Sequence, residues 1–202
     1  MKVFRYALLV LLVLSQNALA ADKDPNCKDP NDPEELLRFK WDAVASVLQN
    51  KEMDLKAKEK KIDKIICPIF DFAVMGKLAL GRENWPKLNP QQQEKFIKLF
   101  VERLKTTYRE KITLYTNETV SFKPALHKTN SKIINVPMEL IYKDKKVVIL
   151  YKLRKVEKRW KIYDVEIQGV SILLTYRSQF NDILRSGSVD DLLARLEKPV
   201  EH

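Results

Sequence analysis

Apolar residues recur every three or four positions up to about residue 110, and every two positions from about residue 117 onward. Asp32-Pro33-Glu34-Glu35 reads as a helix start, with an Asp cap, Pro in the first turn and Glu three residues beyond the cap. Leu37, Trp41, Val44 and Leu48 then share one face. A second helix carries Leu55, Ile62, Ile65, Ile66 and Ile69, and Pro68 bends or breaks it before a third helical stretch, FDFAVMGKLALG. Asn89-Pro90-Gln91-Gln92 opens the longest helix, with Gln92 in the capping-box position. Its stripe of Phe96, Ile97, Phe100, Val101, Leu104 and Tyr108 holds over four turns.

The change to a period of two predicts four successive strands, at 117–123, 132–142, 146–154 and 159–169. In the second, Ile134, Val136, Met138, Leu140 and Tyr142 share a face; in the third, Val147, Ile149, Tyr151 and Leu153 do. The short polar link Lys143-Asp144-Lys145-Lys146 predicts an antiparallel hairpin, and Pro137 argues for an edge position or a bulge. In the fourth strand strict alternation sends Tyr163, Val165 and Ile167 one way and Asp164 and Glu166 the other, away from the main apolar face. Two helices, from about Val170 to Ser186 and from a Ser188 cap to Glu197, close the chain. Helices, then strands, then helices specify an α+β fold: a curved four-stranded antiparallel sheet covered on one face by several helices.

Residues 1–20 carry Lys2 and Arg5, an apolar run from Ala7 to Leu14, and Ala18-Leu19-Ala20, the layout of a secretory signal peptide. Residues 21–32 have almost nothing to bury and read as a flexible leader; residues 33–202 then form a single domain. Cleavage lowers the formal net charge from +10 to +8. A basic, exported protein suits anionic lipid or an acidic partner better than nucleic acid, and its cations are interspersed with acids, as in DLKAKEKKIDK. Cys27 in the leader and Cys67 beside Pro68 are the two cysteines; a disulfide between them and two unpaired thiols are both open readings.

Candidate chemistry is sparse. Gly169-Val170-Ser171 lacks the second glycine of a nucleophile elbow, since position 173 is Leu, and Ser171 reads better as a helix cap. The two histidines, His127 and His202, leave almost no base for a serine or cysteine nucleophile and exclude a histidine-rich metal site. Catalysis and a metal are therefore not expected. What remains is an extensive apolar surface, which periodicity alone leaves open as filled core or as the wall of a ligand pocket.

The stretches FDFAVMGKLALGRENWPKLNPQQQEKFIKLFVERLKTTY (70–108), YTNETV (115–120), WKIYDVEIQGVSILLTYRSQF (160–180) and SVDDLLARL (188–196) resemble, in order and spacing, the MlaC or toluene-tolerance Ttg2 family of periplasmic phospholipid-binding proteins. The resemblance covers about residue 33 to the C-terminus. It implies a monomeric periplasmic carrier of phospholipid between outer and inner membranes, with the lipid as cargo and no cofactor. The implied partners are an outer-membrane lipoprotein-porin complex and an inner-membrane ABC transporter complex with a lipid-binding ring subunit. Carriage of another amphiphile is the alternative, and a periplasmic hydrolase a more distant one. No P-loop is present, so energy coupling would lie in a partner. On this reading the acyl chains contact Phe72, Met75, Leu78, Phe96, Phe100, Leu104, Tyr108, Met138, Leu140, Ile149, Tyr151, Val165, Ile167, Val170 and Tyr176. Lys77, Arg82, Arg103, Arg154 and Arg177 would meet head group or partner. Some relatives carry a basic residue where this chain has Gln93, which weakens transfer of a charged docking contact to that position.

Overall fold

The computed structural model describes residues 29–109, 119–126, 131–142 and 145–199. The helix starts follow their caps. In α1 (Pro33–Gln49) the Asp32 carboxylate accepts from the backbone N–H groups of Glu34 and Glu35. In α2 (Leu55–Ile66) Asp54 accepts from Ala57, and Cys67–Ile69 then tightens into a 3-10 turn around Pro68. In α3 (Phe72–Leu80) Asp71 accepts from Val74. The expected capping box opens α4 (Pro90–Arg109): Gln92 N donates to Asn89 Oδ1 at 2.9 Å, and Asn89 N donates to Gln92 Oε1 at 3.1 Å. Each such cap satisfies donors that the first helical turn leaves orphaned.

The sheet is an uncrossed antiparallel meander of five strands, β1 (Thr119–Phe122), β2 (Ile133–Tyr142), β3 (Lys145–Val156), β4 (Arg159–Ile167) and β5 (Val170–Ser171). The fifth strand corrects the expected count of four. Gln168 and Gly169, both at positive φ (51° and 80°), form a two-residue turn whose twist suits a hairpin, so residues 170 and 171 pair back onto β4 before α5 (Ile172–Ser186) begins. Ser171 caps that helix as expected, accepting from Leu174 N, and Ser188 and Asp191 form a capping box at α6 (Val189–Glu197).

Pro137 lies neither at an edge nor in a bulge. It sits in β2, an interior strand, opposite Leu150. Its carbonyl accepts from Lys123 N on the β1 side, so its missing N–H faces the place where β1 has ended and no ladder bond is lost. The bulge lies elsewhere, between β3 and β4: Lys152 opposes Asp164 and Leu153 opposes Ile162, which leaves Tyr163 as the extra residue. The phase of β4 therefore switches at Tyr163. Ile162, Val165 and Ile167 are buried with Leu153, Tyr151 and Ile149 of β3, and β2 adds Ile134, Val136, Met138 and Leu140.

Asp164 also departs from expectation. It opposes Lys152 as an outward residue would, yet it is only 6% exposed, because the tight turn folds Ser171 and the start of α5 over it. The Ser171 hydroxyl donates to Asp164 Oδ2 at 2.8 Å, Val165 N donates to Oδ1 at 2.9 Å, and Lys152 Nζ lies 3.3 Å from Oδ2. A buried carboxylate is tolerable only with partners of this kind. Asp164→Ala should therefore lower unfolding stability by about 2–3 kcal/mol in urea denaturation, by removing the acceptor of several buried donors.

Candidate functional site

Two layers meet over the inner sheet face. Phe96 and Phe100 of α4 stack on each other at 6.0 Å, and Phe180 of α5 meets both rings edge-on. Together with α3, these helices form a closely packed body in which Met75, Phe96, Phe100 and Leu104 are at most 1% exposed. The α1–α2 hairpin makes the other wall. Where it meets the sheet a cavity of about 40 Å³ remains, bounded by Leu37, Lys40, Trp41 and Val44 of α1, Ile66, Ile69 and Phe70 of the next turns, and Phe122, Tyr151 and Ile162 of the sheet. Apart from Lys40 and the Tyr151 hydroxyl, every lining side chain is apolar or aromatic. Burial pushes the Tyr151 phenol well above its ordinary range, so it stays protonated.

A second hollow, about 1190 Å³, runs between α4, α5 and α6 over Tyr176, Phe180 and Ile183, but Arg103, Asp182, Asp191, Arg195 and Lys198 line it as well. Its size exceeds that of the first cavity, yet its wall is charged and open. The smaller cavity has the chemistry of an apolar ligand site.

Cations surround the mouth of that smaller cavity. Lys40 Nζ lies 2.6 Å from Asp29 Oδ1, its side chain largely buried along the apolar wall. Lys161 Nζ donates to the Pro68 carbonyl, and burial together with the charges of Arg159 and Lys40 lowers its pKa against the opposing pull of Asp71 and Asp29. Arg38 lies over the Phe122 ring, 5.2 Å from its centroid.

The residues nominated from sequence fall into distinct places. Met75, Phe96, Phe100, Leu104, Met138, Leu140, Ile149 and Val165 are fully buried, Ile167 nearly so, and Phe72 and Leu78 are half-buried beside them. Of the nominated residues, Tyr151 borders the small cavity and Tyr176 the open hollow, where its hydroxyl lies 3.4 Å from Thr107 Oγ1. Tyr108 belongs to α4, and its side chain lies outside the described part. Val170 is 46% exposed in β5 and does not border the cavity.

Three of the nominated cations are internal clamps. Arg103 Nη2 donates to the carbonyls of Arg195, Leu196 and Lys198 at 2.7–3.0 Å, closing the C-terminus of α6. Arg177 Nε donates to Leu78 O at 2.9 Å near the end of α3, and Arg154 Nε pairs with the α3 cap Asp71 at 2.7 Å. Lys77 and Arg82 are exposed. Gln93 is likewise a clamp, donating to the carbonyls of Trp85 and Leu88. The cavity set of Lys40, Trp41, Ile69, Phe70, Phe122 and Ile162 was not nominated. Trp41 and Val44 on one helical face were visible in sequence, but nothing local indicates that this face lies over the end of the sheet.

The family model described as MlaC protein matches residues 40–198 of the chain. The intermembrane phospholipid transport system binding protein MlaC of Haemophilus influenzae is 24% identical over 174 residues, covering 82% of this chain and 81% of its own. The toluene tolerance protein ttg2D of Pseudomonas putida is 25% identical over 189 residues, covering 93% and 86%. Among solved structures, a phospholipid-binding protein from Ralstonia solanacearum, in complex with a phospholipid, superposes with a TM-score of 0.74 at 27% identity, covering 82% of this chain and 95% of that one. No helix among the described residues is long and apolar enough to cross a membrane.

Cys67, beside the cavity residues Ile66 and Ile69, carries a free thiol in this structure; Cys27 lies outside the described residues. Burial, aided by the negative charge of Asp63, pushes the Cys67 thiol up to about 12 and outweighs the opposing charge of Lys105. The thiolate is the nucleophile, so it should be scarce at neutral pH. In a Cys27→Ser variant, Cys67 should react with a disulfide reagent at pH 8 at least about a hundredfold more slowly in the folded protein than in denaturant, as followed by thiol titration.

Proposed function

Because this chain belongs to the MlaC protein family, we propose that it is a phospholipid carrier that holds acyl chains in the seam between the α1–α2 hairpin and the sheet. The observation that carries this reading is an apolar cavity with a cationic mouth, in a chain whose fold matches a phospholipid-bound structure along 95% of that chain's length. Leaving a bilayer for water costs about 0.8 kcal/mol per methylene exposed, or on the order of 25 kcal/mol for roughly 30 methylenes. A carrier must replace nearly all of that with an apolar lining. It needs no hydrogen-bond code for the tails, which matches the side chains of this wall.

The cavity of about 40 Å³ is far smaller than a pair of acyl chains, being of the scale that holds a water molecule or two. Lipid entry therefore requires the α1–α2 hairpin to part from the sheet while the body of α3, α4 and α5 stays packed. The nominated side chains Met138, Leu140, Ile149 and Val165, which continue the inner sheet face, become accessible to tails in that opened state. Phe72 and Leu78 would reach the same space from α3.

In the further parts of this reading the carrier is exported by residues 1–20 to the periplasm of a two-membrane envelope. There it exchanges lipid with an outer-membrane lipoprotein-porin complex and with an ATP-driven inner-membrane complex. Binding and release of cargo require no covalent chemistry, which accords with a role other than enzyme. The test is native mass spectrometry of the mature protein prepared without detergent, followed by lipid extraction. A stoichiometric phospholipid mass is expected. Val44→Asp, which places a charge in the cavity wall, should lower that load at least about tenfold, while Ile133→Asp on the exposed sheet face should leave it unchanged. A protein that stays empty and takes up no lipid from vesicles would refute the carrier function.

A further inference from the structure

The cations at the cavity mouth are not spread evenly, and a segment of the same chain already answers their charge. Asp29 stands three residues before the α1 cap, yet its carboxylate lies 2.6 Å from Lys40, which is in the third turn of the helix. The residues just before the cap therefore lie alongside α1, beside Lys40. Lys40 is the single lysine of α1: its stem lines the apolar cavity and its side chain is only 14% exposed, while its ammonium meets Asp29. Lys161 is bonded to Pro68 O in the turn that supplies Ile69 and Phe70 to the cavity wall. Arg159 is close enough to affect its charge, and both Asp29 and Lys40 act on it too. Asp71, the other carboxylate here, is taken by Arg154 and by the cap of α3. Arg38 is paired with Glu34 at 3.0 Å, which leaves Lys40, Lys161 and the neighbouring Arg159 as the cations on this side of the cavity, with Asp29 as the carboxylate.

We propose that Lys40, Lys161 and Arg159 form the site for the phosphate of the lipid head group, and that in the unloaded carrier Asp29 occupies this site as an internal stand-in that the phosphate displaces. The inference rests on the carrier reading above. The geometry favours a phosphate-bearing ligand. Tails in the cavity bring the polar end of an amphiphile to its mouth, and a lysine ammonium is a point charge with three donors that suits a phosphate oxygen without fixing its orientation. Asp29 supplies one carboxylate oxygen to the same ammonium, and its side chain is a third exposed, so the contact is weak enough to exchange. Loading thereby frees Asp29, and unloading lets it return.

The opposite signs of two substitutions test this in the mature full-length protein. Uptake from vesicles containing phosphatidylglycerol, followed by tryptophan fluorescence, is compared with uptake of diacylglycerol, which has the tails but no phosphate. Asp29→Asn should strengthen phosphatidylglycerol binding about two- to fivefold by removing the competitor. Lys40→Gln should weaken it about tenfold, and Lys161→Gln should act in the same direction. Diacylglycerol uptake should be unchanged in Asp29→Asn and Lys161→Gln. Inorganic phosphate at millimolar concentration should compete with the lipid in the unsubstituted protein and much less in Lys40→Gln.

Phosphatidylglycerol binding within twofold of the unsubstituted protein in both Asp29→Asn and Lys40→Gln would overturn the head-group site and leave the carrier function standing. Parallel changes in diacylglycerol uptake would do the same, by showing a merely structural effect. Inorganic phosphate binding as tightly as the lipid would assign the site to free phosphate instead. Uptake of neither lipid by the unsubstituted protein would remove the carrier reading itself, and this proposal with it.

Discussion

The buried carboxylate of Asp164 is the point from which the helical layer hangs. A charge at that depth is stable only when its oxygens are taken up by donors, and these come from Ser171 beyond the next hairpin turn, from the adjoining Val165 N–H and from Lys152 across the sheet. Meeting that demand fixes the Gln168-Gly169 turn, brings Ser171 onto β4 and sets the starting point of α5. Everything α5 touches follows from this. Arg177 reaches the end of α3, and Phe180 enters the angle between Phe96 and Phe100 of α4. Arg103 of α4 in turn holds the last carbonyls of α6.

This chain of clamps divides the molecule into unequal parts. The body of α3, α4, α5 and α6 is tied by arginine-to-carbonyl bonds and stacked aromatic rings, and its central side chains are almost completely buried. The α1–α2 hairpin instead meets the sheet mainly through aliphatic and aromatic side chains around a void. Apolar contacts are non-directional and re-form after sliding, whereas a displaced arginine leaves unsatisfied carbonyls. The seam that contains the cavity is thus the place where the layers can separate at least cost. A carrier that must accept and surrender its cargo requires such a division, since an interior of uniform rigidity would close the site and one of uniform looseness would not hold the fold.

Much of the architecture was legible from residues 32–197. Helix starts at Asp32, Asn89, Ser171 and Ser188 were readable because a cap is a local hydrogen-bond pattern among residues two or three apart. The break at Pro68 and the strand-rich middle were readable for the same reason, since proline and a period of two act within a few residues. The fifth strand was missed because a two-residue strand leaves no periodic signal, the inward turn of Ile162 because a bulge at Tyr163 changes the phase of β4 without altering its composition, and the burial of Asp164 because its cover comes from Ser171 and α5 beyond the next turn. The five nominated cations show the limit most clearly. A basic residue has the same appearance in sequence whether it caps a distant helix, as Arg103, Arg154 and Arg177 do, or stands at an opening, as Lys40 and Lys161 do.

By itself, then, the sequence determined most of the elements, their order, the apolar faces and the scarcity of histidine, because each of these depends on residue type or on neighbours within a turn or two. Only the tertiary structure decided which apolar face is filled core and which borders a void, and which cations are spent on carbonyls. Both are settled by residues tens of positions apart that the fold brings together: Arg177 with Leu78, Arg103 with Leu196, and Trp41 and Tyr151 on the wall of the same cavity. Packing fills space according to where whole elements come to rest, and that position is not written in any one of them.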